Sequence, residues 1–172
     1  MRIIFLVSNL KAIGGIEKYC RGFVKEMQAN EGTVVRLIEL KKSTLVGKLV
    51  FVLQYFRVAL FFRPNIVILA HINFSILGLV AKYLFGAVFA VLTYGIDVWS
   101  VESPIKRRAL REAKLVTAIA RYTKERICQQ FPEIKENIFL LPNFVDEKEF
   151  LLGDKPNYLL KELNLNPSSK II

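Results

Sequence analysis

Two adjacent glycines, Gly14 and Gly15, stand in the segment SNLKAIGGIEKY just ahead of a helix-like pattern. Residues without a Cβ let a ligand approach the backbone, and the free amides and positive dipole end of a helix start favour an anion such as phosphate. A tight turn that simply needs glycine is the competing account. The spacing is not Gly-x-Gly-x-x-Gly and no Gly-Lys-Ser/Thr follows, so the dinucleotide fingerprint and the P-loop are both absent. A second set of polar residues sits where apolar runs end: His71 and Asn73, then Thr93, Tyr94 and Asp97, then Asn143 and Asp146. His71 is the only histidine; it is either a proton-exchanging group of a site or a satisfied structural imidazole. Asp97 either serves acid-base or hydrogen-bonding chemistry or caps the helix that follows. No Cys/His spacing fits a zinc site and no Ser-His-Asp set is legible.

The elements that must position these residues alternate. Short apolar runs at 2–7, 33–39, 66–70, 87–93, 115–119 and 137–141 suit strands, the first almost continuously apolar as in a strand covered on both faces. Between them, helical patterns span 16–29, 44–62, 74–84, 103–112 and 121–130. In the first, Ile16, Tyr19, Cys20, Phe23, Val24 and Met27 recur at spacings of 3 and 4. Strand and helix taking turns predicts an α/β fold: a Rossmann-like open parallel sheet with right-handed crossovers and helices on both faces. Ligands dock at the carboxyl ends of such strands, so the polar residues above should converge on one rim. Residues 1–152 read as this domain. Residues 153–172, with Gly153, Pro156, Pro167, several asparagines and a short helix near 157–163, read as a linker toward a further domain.

The composition supports a packed domain. The chain has 172 residues, 53% hydrophobic and 23% charged, which excludes intrinsic disorder, and it shows no repeat. Net charge is +10, unevenly spread: residues 1–63 hold 11 basic and 4 acidic groups, and 102–130 hold 8 and 3. These basic zones either face phosphate groups or are ordinary solvated surface. Nucleic acid is the weaker of the specific options and is not expected as a partner, because the basic runs lack interleaved exposed aromatics and match no helix-turn-helix or zinc-finger spacing. Two cysteines, Cys20 and Cys128, are too few for a disulfide framework, and no cleavage site follows the N-terminal apolar run, so a reduced, cytoplasmic setting is expected.

Residues 45–62 and 74–92 are long enough to be tested as membrane spans. Lys48, Gln54 and Arg57 interrupt the first, with Lys48 and Arg57 on opposite sides of a helix. Gly86 breaks the second, after which β-branched and aromatic residues take over. Both are expected to be packed interior helices.

GGIEKY opening a helix, then RPNIVILAH, LTYGIDVW, TAIARYTKERI and LPNFVDEKEF, together resemble the N-terminal half of a family 4 retaining glycosyltransferase of the GT-B type, over residues 1 to about 150. The resemblance implies two Rossmann-like domains facing a cleft, the N-terminal one holding the acceptor and the C-terminal one the nucleotide-sugar. It implies that Gly14 and Gly15 approach the donor phosphates, that His71 and Asp97 are the catalytic candidates, and that Asn73, Tyr94, Gly95 and Asn143 line the acceptor side. No metal or cofactor is implied; the nucleotide-sugar is a co-substrate. Tyr94 stands where the His-Gly-x-Asp element has histidine, and its hydroxyl can hydrogen-bond but does not titrate near neutrality. Ala120 and Phe144 replace a common Ser and Gly. The Glu-x7-Glu element belongs to the C-terminal domain, so this chain alone should not turn over and needs a donor-binding domain in cis or in trans.

By the same resemblance, the acceptor is lipid-linked or polysaccharide, and Lys41, Lys42 and Lys48 with helix 45–62 face an anionic membrane on its cytoplasmic side. Three such cations give reversible, salt-sensitive docking. Two alternatives stay open: a non-catalytic membrane-docking subunit of a split transferase, and a Rossmann-like nucleotide binder of another class.

Overall fold

The computed structural model describes residues 1–143 and 157–166. Six parallel strands form one sheet in the order β2-β1-β3-β4-β5-β6, where β1 is Arg2–Ser8, β2 Val34–Leu40, β3 Ile66–Leu69, β4 Val88–Thr93, β5 Leu115–Ala118 and β6 Ile138–Leu140. The connecting helices are α1 (Gly15–Ala29), α2 (Leu45–Phe62), α3 (Ser75–Phe85), α4 (Pro104–Glu112) and α5 (Arg121–Gln130), with α6 (Asn157–Glu162) beyond. Every predicted strand and helix is present within one or two residues of its expected limits. The 3-10 turns Ile72–Phe74 and Pro132–Asn137 were not anticipated.

Alternation along the strands sorts the core into two layers. Ile3, Phe5 and Val7 of β1 pack with Tyr19, Cys20 and Val24 of α1. Ile4 and Leu6 face the other side, with Phe51, Tyr55 and Ala59 of α2, Leu77 and Ala81 of α3, Ala109 and Leu110 of α4, and Ile127 of α5. Because β1 is buried on both faces, its sequence must be an unbroken apolar run. The handedness of parallel crossovers explains the division of helices: β1 to β2 steps one way along the sheet and every later connection steps the other way.

The expectation of an interior helix holds for α3 and fails for α2. α3 lies between α2 and α4 and ends at Gly86, whose φ of 66° stops the helix. α2 covers the edge strand β2, and among the described residues α3 is the helix packed beside it. It buries one stripe, Phe51, Tyr55 and Ala59, four residues apart. Leu45, Val46, Leu49, Val50, Leu53, Leu60 and Phe61 are all exposed. An edge helix has too little sheet and too few neighbours to bury an apolar surface all round. Among the described residues α2 alone is long and apolar enough to cross a membrane. Its short connections to β2 and β3, both strands of one sheet, and the Tyr55 hydroxyl donating to the Leu77 carbonyl at 3.0 Å hold it against the domain instead.

Candidate functional site

The direction of strand addition reverses between β1 and β3, and the crevice at the carboxyl ends of those two strands is where an open α/β sheet receives a ligand. On the β1 side, the loop leading to Gly14 is held from two elements. Glu39 at the end of β2 accepts from the Leu10 amide at 2.6 Å, and Arg21 of α1 donates to the carbonyls of Leu10 and Ala12. Gly14 is the N-cap of α1 with extended backbone (φ −176°, ψ 160°) and supplies no side-chain cap, which leaves the first amides of the helix free of a capping group from that residue. Neither glycine has a left-handed backbone, so turn geometry does not demand glycine here. A Cβ at Gly15 would meet nothing within 4 Å, whereas one at Gly14 would meet the Glu17 carboxylate at 2.2 Å. Gly15 is therefore the open position, and Gly14 lies beneath Glu17.

On the β3 and β4 side, His71 is half-buried and caps the 3-10 turn: its Nδ1 accepts from the Asn73 amide at 3.1 Å. The neutral ring then carries its proton on Nε2, so it offers a ligand a hydrogen bond and not a lone pair. Burial pushes its pKa down, against the pull of nearby Asp97 and with help from Lys106. The His71 ring stacks on that of Tyr94, with centroids 6.5 Å apart. The Tyr94 hydroxyl turns inward, 3.3 Å from the Cys20 Sγ, and burial raises its pKa strongly. Tyr94 thus shows its ring to His71, and its hydroxyl is taken up inside the domain. Tyr19 packs edge-on against the same ring at 5.8 Å, which ties α1 to the rim.

Asp97 accepts from the amides of Tyr94 at 3.1 Å and Gly95 at 2.6 Å. It caps the turn after β4 and not the next helix, which begins only at Pro104. Gly95, at φ 158°, takes a conformation L-residues rarely adopt. Asn73 is exposed and its Oδ1 accepts from Lys106 Nζ at 2.7 Å. Thr93 is buried and donates to the Thr117 carbonyl at 2.6 Å, which makes it part of the core. Asn143 is exposed beyond β6, at the far edge of the sheet from the β1–β3 crevice. Asp146 and Phe144 lie outside the described residues. Ala120 is the N-cap of α5 and gives it no side-chain cap. Lys41, Lys42 and Lys48 are exposed at the N-terminal end of α2. Among the described residues, no three His, Cys, Asp or Glu side chains cluster to hold a metal ion.

The arrangement therefore pairs the start of α1, open at Gly15 and carrying the Glu17 carboxylate beside Gly14, with a rim built of His71, Tyr94, Gly95, Asp97 and Asn73. Solved structures share the fold. Anabaena HepE in complex with UDP superimposes with a TM-score of 0.63 at 16% identity, covering 95% of this chain and 50% of that one. The fold is that of one half of a GT-B glycosyltransferase. The lipopolysaccharide outer core galactosyltransferase WaaB in its apo form matches with a TM-score of 0.58 at 14% identity, over 85% of this chain and 46% of that one. HepE in complex with UDP-glucose matches with a TM-score of 0.58 at 16% identity, over 95% and 50%. The chain thus spans about half the length of these structures. No protein-family model matches the sequence, and no curated protein does.

Arg21, Glu39 and Lys106 were not singled out from sequence, and Cys20 only as part of the apolar face of α1 and as one of two cysteines. Glu39, Cys20 and Lys106 act through partners 29 or more residues away along the chain, such as Lys106 on Asn73, and no local motif announces such a contact. Lys106 had one visible signal, a cation in the helix that follows the LTYGIDVW segment.

Proposed function

We propose that this chain is the acceptor-side half of a retaining glycosyltransferase that moves a hexose from a nucleotide-sugar to a lipid-linked or polysaccharide acceptor. The observation that carries the proposal is the open N-terminus of α1 at Gly15, set at the sheet's switch point beside the His71–Tyr94 rim in a fold shared with HepE, which was solved with UDP and with UDP-glucose. In this assignment the α1 amides stabilise the charge that develops on the leaving diphosphate, a role for which backbone suffices. His71 donates through Nε2 to a sugar or acceptor oxygen, while Asp97 holds the turn that presents Tyr94 and Gly95. A donor-binding domain, in cis or in trans, completes the cleft. The domain docks on an anionic membrane surface through the outer face of α2, with Lys41, Lys42 and Lys48 at one end.

The test is the native gene product, sized by intact mass spectrometry and assayed for transfer of labelled hexose from UDP-glucose and other nucleotide-sugars to membrane extracts. A product about twice 19.7 kDa, as a two-domain chain requires, that transfers sugar and loses transfer in Gly15→Val supports the proposal. Undiminished transfer in Gly15→Val removes the phosphate role. A 19.7 kDa product that co-purifies with a separate donor-binding protein replaces the enzyme by a docking subunit.

A further inference from the structure

At the end of α2 opposite the three lysines, a groove of about 580 Å³ opens between the helix and the edge strand β2. Arg36 of β2 and Arg57 of α2 line it, with Leu37, Val58, Phe61 and Phe62 as apolar walls. The Arg36 guanidinium lies over the Phe62 ring, 5.7 Å from its centroid, a contact that steadies the group and leaves its N–H donors unused. Among the described residues neither arginine pairs with a carboxylate, whereas Arg108 and Arg111 each do. Two unpaired guanidiniums around an apolar groove suit a phosphate, which accepts their parallel N–H bonds in pairs.

The surroundings decide what carries that phosphate. Stepping along α2 at 100° per residue, Arg57 lies within the exposed ridge of Val46, Leu49, Val50, Leu53 and Leu60, at its groove end, and Phe61 borders the ridge on the groove side. The groove and the ridge are thus one continuous surface, with a cationic socket beside about 27 Å of apolar helix at 1.5 Å per residue. A free phosphate needs the socket alone; an amphiphile with an anionic head and acyl tails fits both parts. We propose that the Arg36–Arg57 groove binds the headgroup phosphate of an anionic phospholipid while the ridge of α2 lies among the acyl chains. The proposal rests on the membrane docking assigned above and gives it a specific lipid site.

The experiment is sedimentation of the 172-residue chain with vesicles of phosphatidylcholine alone and of phosphatidylcholine with phosphatidylglycerol. Wild type should partition onto the anionic vesicles. Removing both groove charges in R36Q/R57Q should lower that partition roughly tenfold. The control R121Q/K124Q, which removes equal charge from α5, should lower it much less. R36K/R57K keeps the net charge and loses the planar fork, so it should fall about threefold where a site is read and not at all where only charge is read. Groove variants that bind as tightly as the α5 control overturn the lipid site and leave membrane docking standing. Wild type that ignores both vesicles, or that self-associates through the ridge in their presence, overturns the docking as well.

Discussion

Helices α2 and α3 are both strongly apolar, lie on the same face of the sheet, and are used differently. α3 has a helix on each side and sets Leu77, Gly78 and Ala81 into the core. α2 sits over the edge of the sheet and leaves seven large apolar side chains exposed. Apolar sequence records that a surface is kept from water, and it does not say by what. For α3 the answer is inside this domain; for α2 the proposal above places most of it outside, at a lipid surface.

Tyr55→Ala and Leu53→Ala, neighbours on α2 that face opposite ways, give the widest separation. Tyr55 is 0% exposed and Leu53 is 60% exposed. Truncating Tyr55 should cost about 3–5 kcal/mol, through the cavity and the lost bond to Leu77, while truncating Leu53 should stay within about 0.5 kcal/mol. Urea unfolding checks both. A Leu53 loss above about 2 kcal/mol would mean the outer face is covered in the free protein, and the contrast with α3 would collapse.

Gly78 tests how tightly α3 is seated. An added Cβ would meet Phe89 at 2.7 Å and Leu69 at 2.8 Å. Gly78→Ala should destabilise by about 1–3 kcal/mol of overpacking, reduced by up to about 1 kcal/mol of better helix propensity. Caps come next in size. Thr44 accepts from the Gly47 amide at 3.2 Å and starts α2, so Thr44→Ala should cost about 1 kcal/mol. Ala120, with φ −140° and ψ 152° at the start of α5, has the N-cap backbone without the side chain. Ala120→Ser should gain up to about 1 kcal/mol, and no gain in the denaturation midpoint would show that the α5 amides already have partners.

Much of the fold was legible because each strand is short, apolar and bounded, and each helix between them keeps one periodicity. That His71, Tyr94, Gly95 and Asp97 lie together was legible for the same reason, since the ends of the neighbouring strands β3 and β4 adjoin, whereas Asn143, beyond β6, lies at the far edge of the sheet. What was hidden depends on depth and direction. LTYGIDVW gives the position of Tyr94 but not that its hydroxyl points at Cys20, 74 residues away. Asp97 reads as a helix cap by type, yet the helix starts seven residues later and the carboxylate closes its own turn. The exposure of α2 was hidden because burial depends on strand order: only when β2 is known to be an edge does the helix above it lack neighbours.

The smallest effect concerns how α3 is fastened to its other neighbour. Glu112 of α4 bonds Arg108 at 2.7 Å, accepts from the Tyr83 hydroxyl, and meets Lys82 of α3 at 3.2 Å. These partners, Arg108 first, hold its carboxyl at about 2, well below the usual range near 4.5. Because the folded value is depressed, the contribution is present above about pH 4.5 and is lost as pH falls toward 2. The pair is largely at the surface and screened, so the contribution should be under about 1 kcal/mol. Glu112→Gln should flatten the acid limb of a urea-midpoint profile over that window and reduce its dependence on salt. An unchanged acid limb would show that α3 and α4 are joined by packing alone. In that case the polar clasp beside α3 would count for no more than the bare outer face of α2, and the two helices would differ only in how many neighbours the sheet gives them.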